Sequence, residues 1–381
     1  MNKLIVSANT STLKKYLYNT GLFFGSLIVV LGILECALRI AGYNPFGEFF
    51  ENEGRSVFIQ PSPDAQRIFE AAPNTQGKGW GTDISINSHG FRGREYALAK
   101  PQDVYRIVVL GDSITFGNNL PENKNYPARL ENIFINNGKQ AEVLNLGLGG
   151  YDTLQEVATL QDVGLQFSPD RVILGYCIND IGIASGNLNY IKRLKNYGQS
   201  IYRLRLAQFV RVQLDRIELI EYEKSANTTE NFDATYKNSL ADISHDDELK
   251  NKIQALETLL NQRQGKFLFA RDYTEANHIQ RLRYALEQLK SLQEKNHFAV
   301  TILVIPYLME DNDSQPIYQA IYQIIEHEMT RLGFSVINPY VDFSKAGFKN
   351  LILKKNDGVH PNAQGHEIMA DALYKNISTQ K

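Results

Sequence analysis

The sequence predicts an α/β protein with a parallel sheet and helices on both faces, preceded by one membrane-spanning helix. Short apolar runs ending in turn residues recur from residue 104 onward, and stretches with helical patterning separate them. Near the N-terminus, Tyr16–Leu34 contains no charged residue.

That first segment sets the organisation. Nineteen residues at helical rise cover roughly the 30 Å of a bilayer core. Lys3, Lys14 and Lys15 precede it, whereas Glu48, Glu51 and Glu53 follow soon after Arg39. The positive-inside tendency then keeps the N-terminus cytoplasmic and puts the body outside, or in a periplasm. The apolar run exceeds the ~7–15 residues of a signal-peptide core and no small-x-small site follows it. The expectation is an uncleaved single-pass anchor over 1–40, with residues 16–38 meeting the membrane.

Residues 41–103 read as a linker and small β lead-in, rich in Gly, Pro and Asn, with alternation at Asp83-Ile84-Ser85-Ile86-Asn87. Buried strands are predicted at Tyr105–Leu110, Glu142–Leu146, Arg171–Gly175 and Ala299–Ile305, with a weaker one at Phe334–Asn338. Helical patterns fall at about 125–137, 153–164, 278–295 and 316–332. In such sheets ligands gather at the carboxyl ends of the strands. Residues 181–295 form a more charged, mainly helical insertion. Within it, 201–223 has apolar residues near helical spacing with Arg203, Arg205, Arg211 and Arg216 among them, which suits a surface helix or one on an anionic membrane. Residues 224–250, including His245-Asp246-Asp247-Glu248, read as solvated loop and helix start rather than a metal site.

Composition narrows the function. With 381 residues, 43% hydrophobic, there is ample material for a core, and a net charge of −2 gives no bulk reason to bind nucleic acid. Two cysteines, Cys36 and Cys177, make neither a disulfide framework nor a four-thiolate zinc site. No metal set and no cofactor motif is evident; His89, His327 and His366 read as packing or surface residues.

Three short motifs remain, each behind a predicted strand or near the C-terminus. Gly111-Asp112-Ser113-Ile114-Thr115-Phe116-Gly117 places a serine at a strand-to-helix turn, where its hydroxyl is exposed beside its own amide, as a nucleophile requires. Asp357-Gly358-Val359-His360-Pro361-Asn362 sets a carboxylate and an imidazole three residues apart, so the carboxylate can orient the ring. Asn145-Leu146-Gly147-Leu148-Gly149-Gly150-Tyr151 and Cys177-Ile178-Asn179-Asp180 follow the second and third strands and offer oxyanion donors. Taken singly, each motif also suits an ordinary turn or helix cap.

In order and placement these blocks resemble the SGNH (GDSL-type) hydrolase superfamily of the membrane-anchored bacterial type, over roughly residues 104–376. The resemblance implies a three-layer α/β/α flavodoxin-like fold and a serine esterase acting through an acyl-Ser113 intermediate. Ser113 would be nucleophile, His360 the general base and then acid, and Asp357 the orienting carboxylate. The oxyanion hole would use the Ser113 amide, the Gly150 amide (or that of Gly147 or Gly149) and the Asn179 side chain. Asn87-Ser88-His89-Gly90-Phe91-Arg92-Gly93 is similar to a lead-in of these members. One departure stands out: Cys177 occupies a position where the family usually has glycine. The implied substrate is an O-acyl ester of an exported glycan, a lipid or a small molecule, with envelope proteins as partners for 181–295. An O-acyltransferase on the same triad and a non-catalytic envelope binding protein are the alternatives.

Overall fold

The structure, a computed structural model, describes residues 10–43, 58–64, 66–79, 81–182, 204–214, 243–263, 267, 269–308, 314–354 and 357–379. Five strands form one parallel sheet: β5 (Tyr105–Gly111), β6 (Ala141–Asn145), β7 (Arg171–Tyr176), β8 (Ala299–Val304) and β9 (Ser335–Ile337), in the order β6-β5-β7-β8-β9. Register pairs Val108 with Leu144 on one side of β5 and with Val172 on the other. Ile107–Leu110 and Val172–Leu174 are fully buried, as continuous apolar strands must be when helices cover both faces.

After β5 the chain makes α2 (Ser113–Phe116) and α3 (Tyr126–Asn136); after β6 it makes α4 (Thr153–Asp162). The crossover from β7 to β8 contains a helix over 205–214 (α5), then α6 (Asp247–Gln262) and α7 (Ala276–Asn296). Next come α8 (Gln315–Arg331), the short α9 (Tyr340–Ala346) and α10 (Ala363–Thr379). The strand order reverses direction after β6, and right-handed crossovers therefore put α3 on one face and α4, α7 and α8 on the other. Helix α10 packs on α3, and α7 packs on α4. Three layers result, and the predicted strands and helices appear within a few residues of their expected bounds.

The core reaches its closest approach where β5, β7 and α2 meet. A β-carbon at Gly175 would lie 2.3 Å from the Tyr126 hydroxyl and 2.7 Å from Thr115 Oγ1, two groups that hydrogen-bond to each other at 2.7 Å. Only glycine lets the strand pass this pair.

The lead-in is more built than a linker. Strands β1 (Ile59–Pro61) and β2 (Phe69–Ala71) pair antiparallel, as do β3 (Gln76–Gly79) and β4 (Thr82–Ser85). Phe58, Phe69, Ile84 and Ile86 form an apolar cluster with Phe116, Leu148 and Tyr151 of the main domain. The Tyr151 hydroxyl donates to the Phe69 carbonyl, and Gln155 Nε2 to that of Arg67 at 2.7 Å.

Within 243–250 the expected helix start appears at Asp247, with His245, Asp247 and Glu248 exposed, but Asp246 makes long-range contacts outside that expectation. Asp246 caps α6 by accepting from Leu249 N (3.0 Å), and it pairs with Arg283 of α7 (2.7 Å) and His327 of α8 (3.0 Å). Arg283 is buried and also grips the buried Glu328. These partners lie 37 to 81 residues from Asp246 in sequence, out of reach of local patterning. His327, expected as a packing or surface residue, joins this cluster through its contact with Asp246, and the cluster fastens α6 to α7 and α8. The rest of 224–242 lies outside the described residues.

At the N-terminus, α1 (Thr10–Ile40) is a single helix whose Lys14–Ile40 part is long and apolar enough to cross a membrane. Its apolar side chains from Tyr16 to Leu34 are exposed.

Gly175→Ala is expected to lower the unfolding free energy by about 1–3 kcal/mol, the usual cost of overpacking a core. A chemical denaturation midpoint equal to wild type would show that the Thr115–Tyr126 pair yields without cost.

Candidate active site

The carboxyl ends of β5, β6 and β7 carry the motifs, at the point where the strand order reverses. Directly after β5, Asp112 caps α2: its Oδ1 accepts from Ile114 N at 2.8 Å. That cap turns the chain sharply and sets Ser113 at the head of a one-turn helix, half-buried. Ser113 Oγ lies 2.8 Å from His360 Nε2 and 3.3 Å from Asp112 Oδ2. Two residues 247 apart in sequence thus meet across the end of the sheet.

His360 arrives on a turn that Asp357 organises. Asp357 Oδ1 accepts from the backbone N–H of Val359 and of His360, each at 3.1 Å. Leu308 N, just past β8, donates to Gly358 O at 2.8 Å, and Leu353 N donates to His360 O at 3.1 Å. The ring's Nδ1 lies 2.9 Å from Asp357 Oδ2. Burial opposes charge on Asp357, but its hydrogen bonds and attraction to His360 outweigh this and hold the carboxyl down to about 2. An ionised carboxylate only accepts, so Nδ1 carries the hydrogen and Nε2 is left to accept from Ser113. Burial pulls the His360 pKa down, yet the hydrogen bond and charge of Asp357 raise it above the ordinary value overall.

The two donor loops flank Ser113. A β-carbon on Gly149 would sit 3.5 Å from Ser113 Cβ, so this loop borders the hydroxyl directly; Gly150 follows with φ +86°, a left-handed turn that glycine adopts freely. The Gly147 N–H donates to Asn145 Oδ1 at 3.0 Å. Asn179 donates from Nδ2 to Asp112 Oδ2 at 3.1 Å, which fixes the end of the amide that faces the serine turn. Asp180 holds that loop from behind, accepting from Cys177 N at 2.6 Å.

Beneath the loop are buried acids. Burial first, then the charge of Asp112 and Asp152, pushes Glu156 well above the carboxylate range, and neither of its oxygens finds a donor among the described residues. Asp180 is likewise raised, by burial and then by Glu156. Cys177 is buried, and burial followed by the charges of Asp112 and Asp180 pushes its thiol far up, which suits a packing residue rather than a thiolate nucleophile.

Of the remaining histidines, His366 is buried with Nδ1 accepting from Tyr126 N (3.1 Å), and His89 packs against Phe91 and Phe167. Asp246, His327 and Glu328 lie close enough to share an ion, but Arg283 already supplies the positive charge there. A groove between the lead-in hairpin and α3, lined by Gln76, Asp83, Glu122 and Glu131, includes none of Ser113, Asp357 and His360.

In the sequence, Arg92 stands out only as part of a lead-in motif. Its buried guanidinium donates to the carbonyls of Phe116 (2.9 Å), Gly117 (2.7 Å) and Leu120 (2.8 Å), immediately after the serine helix. Its backbone forms an antiparallel bridge to Asn145, whose Nδ2 donates to Thr115 O at 2.7 Å. Arg92 therefore ties the serine turn to the end of β6. Tyr307, half-buried after β8 and close enough to Asp357 to feel its charge, is the other neighbour the motifs did not single out.

The sequence matches the GDSL-like lipase/acylhydrolase family over residues 109–368, about two thirds of the chain, and the protein belongs to that family of ester-hydrolysing enzymes. An arylesterase of Vibrio mimicus is 30% identical over 82 residues, which is 22% of this chain and 41% of the relative. The chain thus spans about two fifths of the curated relative it matches. Among solved structures, TesA aligns at 11% identity over 71% of this chain and 97% of its own, with a TM-score of 0.40. Axe2, an acetylxylan esterase from Geobacillus stearothermophilus, aligns at 13% over 72% and 95%, with a TM-score of 0.38.

Arg92→Ala should cost about 3 kcal/mol, since it strands carbonyls bound by a charged donor. A drop of several degrees in the thermal midpoint of the detergent-solubilised chain is the expected reading. An unchanged midpoint would mean that water replaces the guanidinium.

Proposed function

We propose that this protein is a membrane-anchored serine esterase that hydrolyses an O-acyl ester through an acyl-Ser113 intermediate. The observation that carries the reading is the relay Ser113 Oγ···His360 Nε2 (2.8 Å) and His360 Nδ1···Asp357 Oδ2 (2.9 Å) at the switch point of the sheet. Ser113 Oγ attacks the ester carbonyl while its proton passes to His360 Nε2. The carbonyl π electrons move onto oxygen, and Asp357 stabilises the imidazolium. The oxyanion is met by the Ser113 and Gly150 amides and by Asn179, whose amide nitrogen carries a second hydrogen besides the one bonded to Asp112. Collapse expels the alcohol, which takes the proton from His360. Water then attacks the acyl-enzyme, His360 again accepting the proton; collapse breaks the acyl–Oγ bond, returns that proton to Ser113 and releases the carboxylic acid.

The positive flank before the apolar span of α1 supports a cytoplasmic N-terminus and a catalytic domain, residues 104–376, on the outer or periplasmic side. Substrates in reach there are acylated exported glycans, lipids or small esters. If a glycan hydroxyl replaces water in the second half-reaction, the same intermediate serves acyl transfer, and adding an acceptor to the assay separates the two outcomes.

Ser113→Ala should lower turnover of p-nitrophenyl acetate by a factor of roughly 10⁴–10⁶. Asn179→Ala should lose ~10²–10³, the usual cost of one oxyanion donor. A Ser113→Ala enzyme within tenfold of wild type would rule out the proposed nucleophile. Because His360 must be neutral to accept the proton, kcat/KM should rise with pH through a midpoint above the ordinary histidine value. Asp357→Asn removes the hydrogen bond and charge that raise that pKa and leaves the opposing burial. The limb should therefore move to lower pH as the rate falls, and a limb that stays in place would contradict the assigned pairing.

A further inference from the structure

Helix α5, residues 205–214, touches the anchor through an unusual contact. Glu35 is the first charged residue after the nineteen uncharged positions of α1, about 28 Å along the helix from Tyr16, and so lies at the far boundary of the apolar span. Its carboxylate accepts the backbone N–H of Arg205 at 3.0 Å (Oε1) and of Leu206 at 2.8 Å (Oε2). These are first-turn amides of α5, which have no partner within their own helix. A carboxylate at that end also meets the positive pole of the helix dipole. Arg39, one turn further along α1, donates to the same carboxylate at 2.7 Å. Tyr43, just beyond α1, packs edge-on to Phe209 with ring centres 5.8 Å apart. The first turn of α5 is thereby fixed at the depth where the anchor leaves the hydrocarbon.

The rest of α5, with the residue just before it, is unusual for a protein surface. Leu204, Phe209, Val210 and Leu214 are all exposed, Val210 by 50%. Within α5, Val210 and Leu214 stand four residues apart and so share one face, with Leu204 just before the first turn. Outside α1, the other exposed large apolar side chains among the described residues are Leu98, Ile135 and Val341, far apart in sequence. Exposed apolar side chains at that depth suit the boundary between acyl chains and headgroups.

We infer that α5 is an interfacial helix that lies on the same bilayer α1 crosses, pinned there by Glu35, with Leu204, Val210 and Leu214 covered by lipid. The inference rests on α1 spanning the membrane. It also gives the β7–β8 crossover a role, because this segment begins at the loop that carries Asn179 and returns to the sheet through α7. The crossover thereby links the donor loop to the membrane surface.

The test uses the full chain in vesicles of phosphatidylcholine and phosphatidylglycerol, with Trp80→Phe removing the native tryptophan and single probes added as Val210→Trp, Leu27→Trp or Val341→Trp. Val210→Trp is expected to be quenched by lipid brominated near the headgroup and to be at least threefold less sensitive to iodide than Val341→Trp. Leu27→Trp, inside the span, should be quenched by lipid brominated deep in the acyl chain. If Leu27→Trp is quenched while Val210→Trp behaves like Val341→Trp, the interfacial helix is overturned and the anchor stands. If Leu27→Trp is not quenched, the anchor reading fails and this inference with it. Adding Glu35→Gln to Val210→Trp should raise iodide sensitivity at least twofold, and no change would overturn the pinning role of Glu35.

Discussion

The carboxylate of Asp112 is the joint on which the site depends. It is fully buried at the end of β5; one oxygen turns the chain into the serine helix, and the other receives Asn179 from the end of β7. A single buried side chain thereby sets both the serine turn and the amide opposite it. The arrangement holds because β5 and β7 are adjacent in the sheet although β6 lies between them in sequence. Around it, charge is managed by neutralisation. Glu156 is driven towards its protonated form by burial and then by the charges of Asp112 and Asp152, and Asp180 by burial and then by Glu156, whereas the bonds to His360 keep Asp357 a carboxylate.

A second constraint comes from outside the sheet. The lead-in lies before the family match begins, yet it supplies the wall on which Phe116, Leu148 and Tyr151 pack, and Arg92 holds the carbonyls that close the serine helix. A charged side chain buried among carbonyls is costly to desolvate, and it stays charged here because several main-chain oxygens solvate it. The serine turn is thus supported from both sides, by Asp112 below and by Arg92 beyond its last residue. The lead-in belongs mechanically to the catalytic unit.

Much of this was legible in the sequence, for a physical reason. Parallel strands covered on both faces must be continuous apolar runs, and residues that act at strand ends must follow those runs directly. Ser113 and Asn179 were singled out by position; the structure brings His360 to Ser113, with Asp357 behind the ring, and Asn179 to Asp112. Other features had no such signature. The bonds of Arg92 go to main-chain oxygens 24 to 28 residues away, which any sequence supplies. The Asp246–Arg283–His327 cluster joins three helices through side chains that look solvated when read along the chain. The bond from the Gly147 amide to Asn145 likewise leaves no mark in the sequence pattern.

The central claim is a covalent one, that an acyl group passes through Ser113. The most direct measurement is mass spectrometry of the full chain, acid-quenched in the first turnover of p-nitrophenyl acetate and then digested. The account predicts one acetyl group, carried by the peptide that contains Ser113, accumulating further in Asp357→Asn if deacylation is the slower half. Acetylation at Cys177 instead, or turnover with no acetylated peptide at any quench time, would contradict it.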